Sequence, residues 1–406
     1  MEYYAKTLNN GIRIIHKPVK SLVGHCAIMI NAGSRDEKEN EHGIAHFIEH
    51  VIFKGTQKRK AYHILSRLDD VGGELNAYTT KEETCIYASF LIQDFERAVE
   101  LLHDITFNSV FPEKEIKKEK EVIIDEINSY KDNPSELIFD EFEELIFSNN
   151  PMGRNILGTP ELLKSFTKED ILRFIQNNYH TDQIVFCSVG NISEKKIDKI
   201  ARKYFEPLIE NRRNGSRPDI NDYKPATKIE DKNTYQSHVM IGNIAYSFQH
   251  KDRLGLSLLN NLLGGPGMNS RLNLSLREKN GIAYNIESGY TPYDKTGIFS
   301  IYFGTDEENI DRSLSIIRKE LKKLRNKPLG ILQLSKAVRQ LKGQLAISSD
   351  NKENLMLTLG KSYMLFNKVD SLESAYQKID RITAADLQRI ANEVFDEDSL
   401  SLLIYK

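Results

Sequence analysis

His46-Phe47-Ile48-Glu49-His50 is the stretch on which the reading of this chain turns. It runs H-x-x-E-H, the inverted order of the H-E-x-x-H zinc helix. An α-helix turns about 100° per residue, so His46 and His50 fall about 40° apart around the axis, with Glu49 about 60° to the other side of His46. All three side chains therefore share one face. Two imidazoles one turn apart can take adjacent corners of a tetrahedral Zn²⁺ site. The carboxylate between them is placed to polarise water rather than to bind the metal. His42, four residues earlier, reads as a loop or cap residue ahead of that helix.

Outward from the motif, strands and helices alternate. Gly11-Ile12-Arg13-Ile14-Ile15-His16 and His25-Cys26-Ala27-Ile28-Met29-Ile30 read as strands before it. After it, a helix over 61–70 stops at Gly72-Gly73, and strands follow over 75–79 and 84–90. Helices over 94–108 and 113–131 and a strand over 184–189 complete the first half. Residues 207–228, with Asn211-Arg212-Arg213-Asn214-Gly215-Ser216-Arg217-Pro218, have the composition of a linker. Beyond them the order recurs: a strand over 238–246, a helix from 252, the break Gly264-Gly265-Pro266-Gly267 and a helix to Lys279. Strands over 283–290 and 297–304, further helices and a last strand over 399–405 follow. Helix, glycine and strand at 62–79, and again at 268–289, point to an internal duplication. The expected fold is α+β, with two similar domains, each a mainly antiparallel sheet packed against helices. Residues 1–206 form the first, 207–228 the linker and 229–406 the second.

The bulk numbers agree. At 406 residues the chain is long for one core. A net charge of −2 speaks against nucleic acid or an anionic membrane as partner, since neither is drawn to a balanced surface. Met1-Glu2-Tyr3-Tyr4-Ala5-Lys6 does not read as a signal segment, and no apolar run approaches a membrane span. Cys26, Cys85 and Cys187 are too scattered for a disulfide framework or a thiolate metal site. A cytoplasmic protein is the expectation.

A catalytic zinc needs a third protein ligand. The helix after Pro112 has an apolar stripe of Ile116, Ile123, Ile127 and Tyr130, which should be its buried face, with Glu121 and Asp125 opposite. Glu119 and Glu126 lie on one flank, about 10 Å apart along the axis, too far to bind one metal together without distortion. Helical position alone leaves both open, beside the plain alternative that they edge a solvated face. His103, among Leu101, Leu102 and Ile105, reads as structural. His238 and His250 lack partners at ligand spacing.

The words around these residues settle the comparison. Gly43-Ile44-Ala45 leads into the motif, and Glu119-Lys120-Glu121-Val122-Ile123-Ile124-Asp125-Glu126-Ile127 follows at a distance that puts Glu126 76 residues beyond His50. Leu75-Asn76-Ala77-Tyr78-Thr79-Thr80-Lys81-Glu82-Glu83-Thr84 stands between them. In the second half come Ser270-Arg271-Leu272 and Leu276-Arg277-Glu278-Lys279-Asn280-Gly281-Ile282-Ala283-Tyr284. Together these resemble the pitrilysin, insulinase and mitochondrial processing peptidase family of inverted-motif zinc metallopeptidases, in its compact branch. The resemblance runs from about residue 10 to the end of the chain.

That resemblance implies one Zn²⁺ per chain, with His46, His50 and Glu126 as ligands and Glu49 as general base. Glu119 matches a glutamate that assists catalysis without being a stable ligand. Asn76, Ala77, Tyr78 and Thr79 match an edge strand that binds substrate, and Arg277 and Tyr284 an arginine–tyrosine element that serves the same site. The implied reaction is hydrolysis of peptides or unfolded polypeptide segments by metal-activated water, inside a clamshell of the two domains. Glu82 and Glu83, after the edge strand, could contact basic substrates. A homodimer is the expected assembly, with a heterodimer beside an inactive paralogue as the alternative. A non-catalytic assembly subunit is the competing function, but a scaffold has no physical need for these groups together. The segment Gly264-Gly265-Pro266-Gly267 is shorter than the loop of the mitochondrial non-catalytic subunit, which speaks against a gating role.

Overall fold

The computed structural model describes residues 3–220 and 222–406, which contain a six-stranded and a five-stranded sheet. The first holds β1 (Tyr4–Thr7), β2 (Arg13–Pro18), β3 (Val23–Ile30), β4 (Glu74–Thr79), β5 (Thr84–Leu91) and β6 (Ile184–Gly190). Their order is β1-β2-β6-β3-β5-β4. β6 is buried at all of its positions, as a strand covered on both faces must be, and it lies inside the sheet. β4 has mixed exposure and takes an edge, beside β5. The second sheet holds β7 (Thr227–Glu230), β8 (Ser237–Ile244), β9 (Ile286–Pro292), β10 (Gly297–Thr305) and β11 (Ser401–Tyr405), in the order β7-β11-β8-β10-β9.

With β1 set aside, the two orders are one permutation of chain order. Each sheet also has one parallel pair, β2 with β6 and β7 with β11, in an otherwise antiparallel ladder. The α+β expectation of two similar halves holds. β1 and β7, short strands at sheet edges, have no counterpart in the sequence reading, and β9 begins at Ile286 because Tyr284 and Asn285 lie in a bend.

Between β3 and β4 lie α1 (Ile44–Val51) and α2 (Ala61–Asp69), and after β5 come α3 (Phe95–Phe107), α4 (Glu113–Lys131), α5 (Pro134–Ile146), α6 (Pro160–Ser165) and α7 (Lys168–Asn178). α8 (Glu194–Tyr204) follows β6. In the second half α9 (Arg253–Gly264) precedes β9. α10 (Ile310–Asn326), α11 (Ile331–Asp350), α12 (Lys352–Phe366), α13 (Leu372–Asp380) and α14 (Ala384–Val394) lie between β10 and β11. Among the described residues no helix is long and apolar enough to cross a membrane.

The chain divides into two units that interleave along the sequence. The first comprises the residues up to Asn128, Ile156–Ser216 and Ile347–Ser371, and the second Ser129–Asn155, Arg217–Ala346 and Leu372–Lys406. α12 therefore belongs to the first unit, where it packs on β2, β3 and β6. Its buried residues Met356, Leu359, Gly360, Tyr363 and Met364 follow the spacing of a helical stripe. They close over Ile15, Ala27, Met29, Val185 and Cys187. α5 belongs to the second unit and does the same for β8, β10 and β11, with Ile138, Phe142 and Ile146 against Met240, Ile298 and Leu403. The other face of the second sheet packs on α9, α10 and α14.

Candidate metal centre

The start of α1 is set by two residues the motif does not contain. Gly43 has φ +96°, and a Cβ there would come within 2.7 Å of the Gly158 Cα and 2.8 Å of the Leu157 carbonyl oxygen, so both conformation and space demand glycine. A glycine offers no side-chain cap. Glu37, buried in the first unit, supplies one from seven residues upstream of Ile44. Its two carboxylate oxygens accept the Gly43 and Ala45 N–H groups at 2.9 Å each. A helix N-terminus favours negative charge there. Ile44, Phe47, Ile48 and Val51 bury the apolar face of α1, which leaves His46 and His50 to meet α4.

α4 behaves as its spacing predicts. Ile116, Ile123 and Ile127 are buried, Tyr130 is half-buried, and Glu121 and Asp125 are exposed. Its two flanking acids part company at His50. The Glu126 Oε2 stands 3.6 Å from the His50 Nε2 and 3.9 Å from the His46 Nε2. The Glu119 Oε2 stands 3.4 Å from the His50 Nδ1, and its Oε1 is 2.8 Å from the Lys54 Nζ. Among the described residues, His46, His50 and Glu126 form the one group of potential metal-holding side chains, with ligand atoms all within 4.8 Å of one another.

The residues fit a zinc ion. An ionised carboxylate and two imidazole lone pairs pointed at one another repel unless a cation lies between them. Ligand atoms at zinc-bonding distance on a tetrahedron stand about 3.3–3.5 Å apart, and the two carboxylate–imidazole distances lie within a few tenths of an ångström of that. Burial, and then the neighbouring His50, push the His46 pKa down to about 3. The imidazole is thus neutral at physiological pH, the form a metal requires. Its Nδ1 is buried without a hydrogen-bond partner among the described residues. Glu49 is half-buried on the same helix. Burial raises its pKa, the Thr79 hydroxyl and His50 draw it back down, and Glu126 pushes it up.

Asn76, Ala77, Tyr78 and Thr79 lie on β4, the edge strand, against which α1 packs. Arg277 and Tyr284 belong to the second unit. Both are exposed, Tyr284 at 79%, and both line a cavity of about 760 Å³ there, with Asn260, Asn261 and Ser288. Arg277 stands on a π-helical turn, Asn273–Glu278, where the sequence reading expects regular helix. Glu82 and Glu83 are not available to substrate, contrary to expectation. Glu82 is buried against Arg35, and Glu83 is buried with Lys361 and the Tyr78 hydroxyl. His103 packs among Phe107, Tyr204 and Phe205, the structural role expected of it. Sequence reasoning missed Glu37 and Lys54. Lys54 carried a signal, since it lies four residues after His50, one helical turn along the same face.

Comparison with known proteins places the chain in a family. Residues 14–160 match the profile of insulinase (peptidase family M16), and residues 165–341 match the peptidase M16 inactive domain. An uncharacterized zinc protease of Bacillus subtilis is 32% identical over 98% of this chain and 97% of its own length. The mitochondrial-processing peptidase subunit beta of Mus musculus is 28% identical over 97% of this chain and 82% of its own. In fold, a protease from Helicobacter pylori superposes with a TM-score of 0.90 at 24% identity, covering 100% of this chain and 99% of that one. With identity above 30% running from end to end of the Bacillus protein, and both family profiles in order along the sequence, the chain belongs to the insulinase family, peptidase family M16.

Proposed function

We propose that this chain is a zinc metalloendopeptidase that hydrolyses peptides and unstructured polypeptide segments. The observation that carries the proposal is the convergence of His46, His50 and Glu126 beside the half-buried Glu49. His46 and His50 through Nε2, and Glu126 through its carboxylate, would hold one Zn²⁺ per chain. Zinc held there supplies Lewis acidity, which polarises a scissile carbonyl and acidifies water. Glu49, whose affinity for a proton burial raises, takes the proton of the attacking water and delivers it to the leaving amine. Glu119 accepts from the His50 Nδ1 and so orients a ligand without being one.

Tyr284 donates to the developing oxyanion and Arg277 to substrate carbonyls. Their exposed polar ends in one cavity, and the π-helical turn under Arg277, support those roles. Substrate adds as an extended strand to the open edge at Asn76, Ala77, Tyr78 and Thr79. Such binding tolerates many sequences but demands an unfolded segment. Because one chain carries both the metal motif and the arginine–tyrosine element, the assembly we propose is a homodimer, with a heterodimer as the alternative. Three buried, unbridged thiols favour a reducing compartment, and we place the protein in the cytoplasm.

The test is hydrolysis of a quenched fluorescent, unstructured peptide of about 10–20 residues, a length that suits an enclosed cleft, with zinc added. Glu49→Gln keeps the size of the side chain and leaves the ligands in place. Activity in the wild type that collapses in Glu49→Gln supports the proposal. Equal activity in both, or none in either, overturns it.

A further inference from the structure

Lys54 closes the short helical turn Ile52–Lys54 that follows α1, one turn beyond His50. Its ammonium lies 2.8 Å from the Glu119 Oε1, while the other oxygen of that carboxylate faces the His50 Nδ1 at 3.4 Å. The Glu119 side chain is 9% exposed and that of Lys54 29%. An ionised carboxylate can only accept, so the Nδ1 facing it carries the proton, and the His50 lone pair sits on Nε2, the nitrogen 3.6 Å from Glu126. Which nitrogen of a histidine is free for a metal is set by the hydrogen bond the other one makes. A glutamate with three rotatable bonds does not hold that geometry by itself. Freed of the ammonium, Glu119 would be a nearly buried carboxylate with no cation beside it, and would turn outward towards water. That rotation releases the His50 Nδ1, and an unconstrained imidazole prefers its proton on Nε2, where it blocks a metal.

We propose that Lys54 is a positioning residue of the metal centre: it clamps Glu119 onto the His50 Nδ1 and thereby keeps the His50 Nε2 lone pair facing Glu126. The proposal rests on the metal-centre reading above. The competing account is an ordinary partly exposed ion pair, which contributes little to anything.

The experiment uses the full chain as wild type, Lys54→Met, Lys54→Arg, Glu119→Gln and the Lys54→Met/Glu119→Gln double variant. Zinc alone is the probe, with affinity read by competition against a chelator. Imidazole ¹⁵N shifts of the metal-free protein report the tautomer of His50, assigned by comparison with His50→Asn. Lys54→Met is expected to bind zinc about 10–100-fold more weakly, the range for loss of a group supporting a ligand, with His50 losing its preference for the Nδ1–H form. Lys54→Arg regains most of the affinity, and the double variant is within about threefold of Glu119→Gln, as two members of one chain of contacts should be. Unchanged affinity and tautomer in Lys54→Met overturn the proposal, as does a loss that multiplies onto that of Glu119→Gln. A wild type that takes up no zinc overturns the metal-centre reading and this proposal together. A wild type that binds, matched by Lys54→Met, leaves the first standing and removes the second.

Discussion

Glu37 ties the first turn of α1 to the segment before it through two hydrogen bonds, and Glu37→Gln tests that joint. The substitution preserves size and one acceptor oxygen, but turns the other oxygen into an amino group that faces a backbone N–H. Two effects oppose each other. Glu37 is 3% exposed, so removing its charge relieves a desolvation penalty that reaches several kcal/mol for a buried ion. On the other side, each charge-assisted bond at 2.9 Å to Gly43 or Ala45 is worth about 1.5–3 kcal/mol, and losing one leaves a buried N–H with no partner. Attraction to the helix N-terminus adds about 0.3–1 kcal/mol. Because the two N–H groups already compensate the buried charge, the broken bond should win, with a net loss of about 2–3 kcal/mol. Urea denaturation of the metal-free protein at neutral pH measures it. Zinc affinity should fall as well, about tenfold for each 1.4 kcal/mol that binding must spend on re-ordering the first turn of α1. A Glu37→Gln protein as stable as the wild type, or more stable, would refute the reasoning, because desolvation would then outweigh the cap.

Gly360→Ala separates helix propensity from packing. Propensity alone predicts a gain of about 1 kcal/mol, but the new Cβ would stand 2.5 Å from the Met29 Sδ and 2.6 Å from the Cys187 Sγ, both in the core. Overpacking costs about 1–3 kcal/mol, so the variant should melt lower, and a raised melting temperature would show that α12 does not sit this close. Stability should also fall on acidification. His16 is fully buried, with Nδ1 2.8 Å from the Ser188 Oγ and Nε2 3.0 Å from the Ile192 carbonyl oxygen, and burial holds its pKa below 6.5. The unfolded chain then binds a proton that the native one refuses. The contribution is fully present above the unfolded pKa and is lost as the pH falls from about 6.5 towards the folded value, at up to about 1.4 kcal/mol per pH unit. Unfolding free energies at several pH values between about 7 and 5, compared with those of His16→Leu, isolate the term: the variant should lose less on acidification, and equal slopes would remove His16 from the account.

How much of this was legible depended on the range of the interaction concerned. The motif helix and the buried stripe of α4 follow from local periodicity, which a sequence displays directly, whereas the edge position of β4 came only through the family resemblance. The choice between Glu119 and Glu126 did not follow, because helical phase puts both on one flank. The distinction lies in which nitrogen of His50 each acid meets, a tertiary distance. Glu37 was silent for a similar reason, since a carboxylate seven residues ahead of a helix caps it only after an intervening turn folds back. The exchange of α5 and α12 was also invisible. Each has an ordinary apolar stripe, and a stripe does not say which sheet it covers. Glu82 and Glu83 show the opposite failure: two adjacent acids after an edge strand look like a surface, yet both are buried against cations distant in sequence.

The repeated topology explains why one half can hold a metal and the other does not need to. α1 stands between β3 and β4, and α9 stands between β8 and β9 at the equivalent point of the second sheet, packed on β9 as α1 is on β4. Where α1 presents two histidines and a glutamate, α9 reads Arg-Leu-Gly-Leu-Ser-Leu-Leu-Asn-Asn-Leu-Leu-Gly and contains no imidazole or carboxylate at all. Its uncharged polar residues, Ser257, Asn260 and Asn261, instead line the cavity that Arg277 and Tyr284 also line. Amides and hydroxyls both donate and accept, so they can match the alternating groups of a peptide backbone, but neutral oxygens and nitrogens of that kind make a poor zinc site. Two topologically matching positions thus differ in chemistry: one carries groups that can hold a metal, and its counterpart carries amides and a hydroxyl. On the proposed function the two are complementary, because a peptide bond is cut by water only while the segment around it is held still.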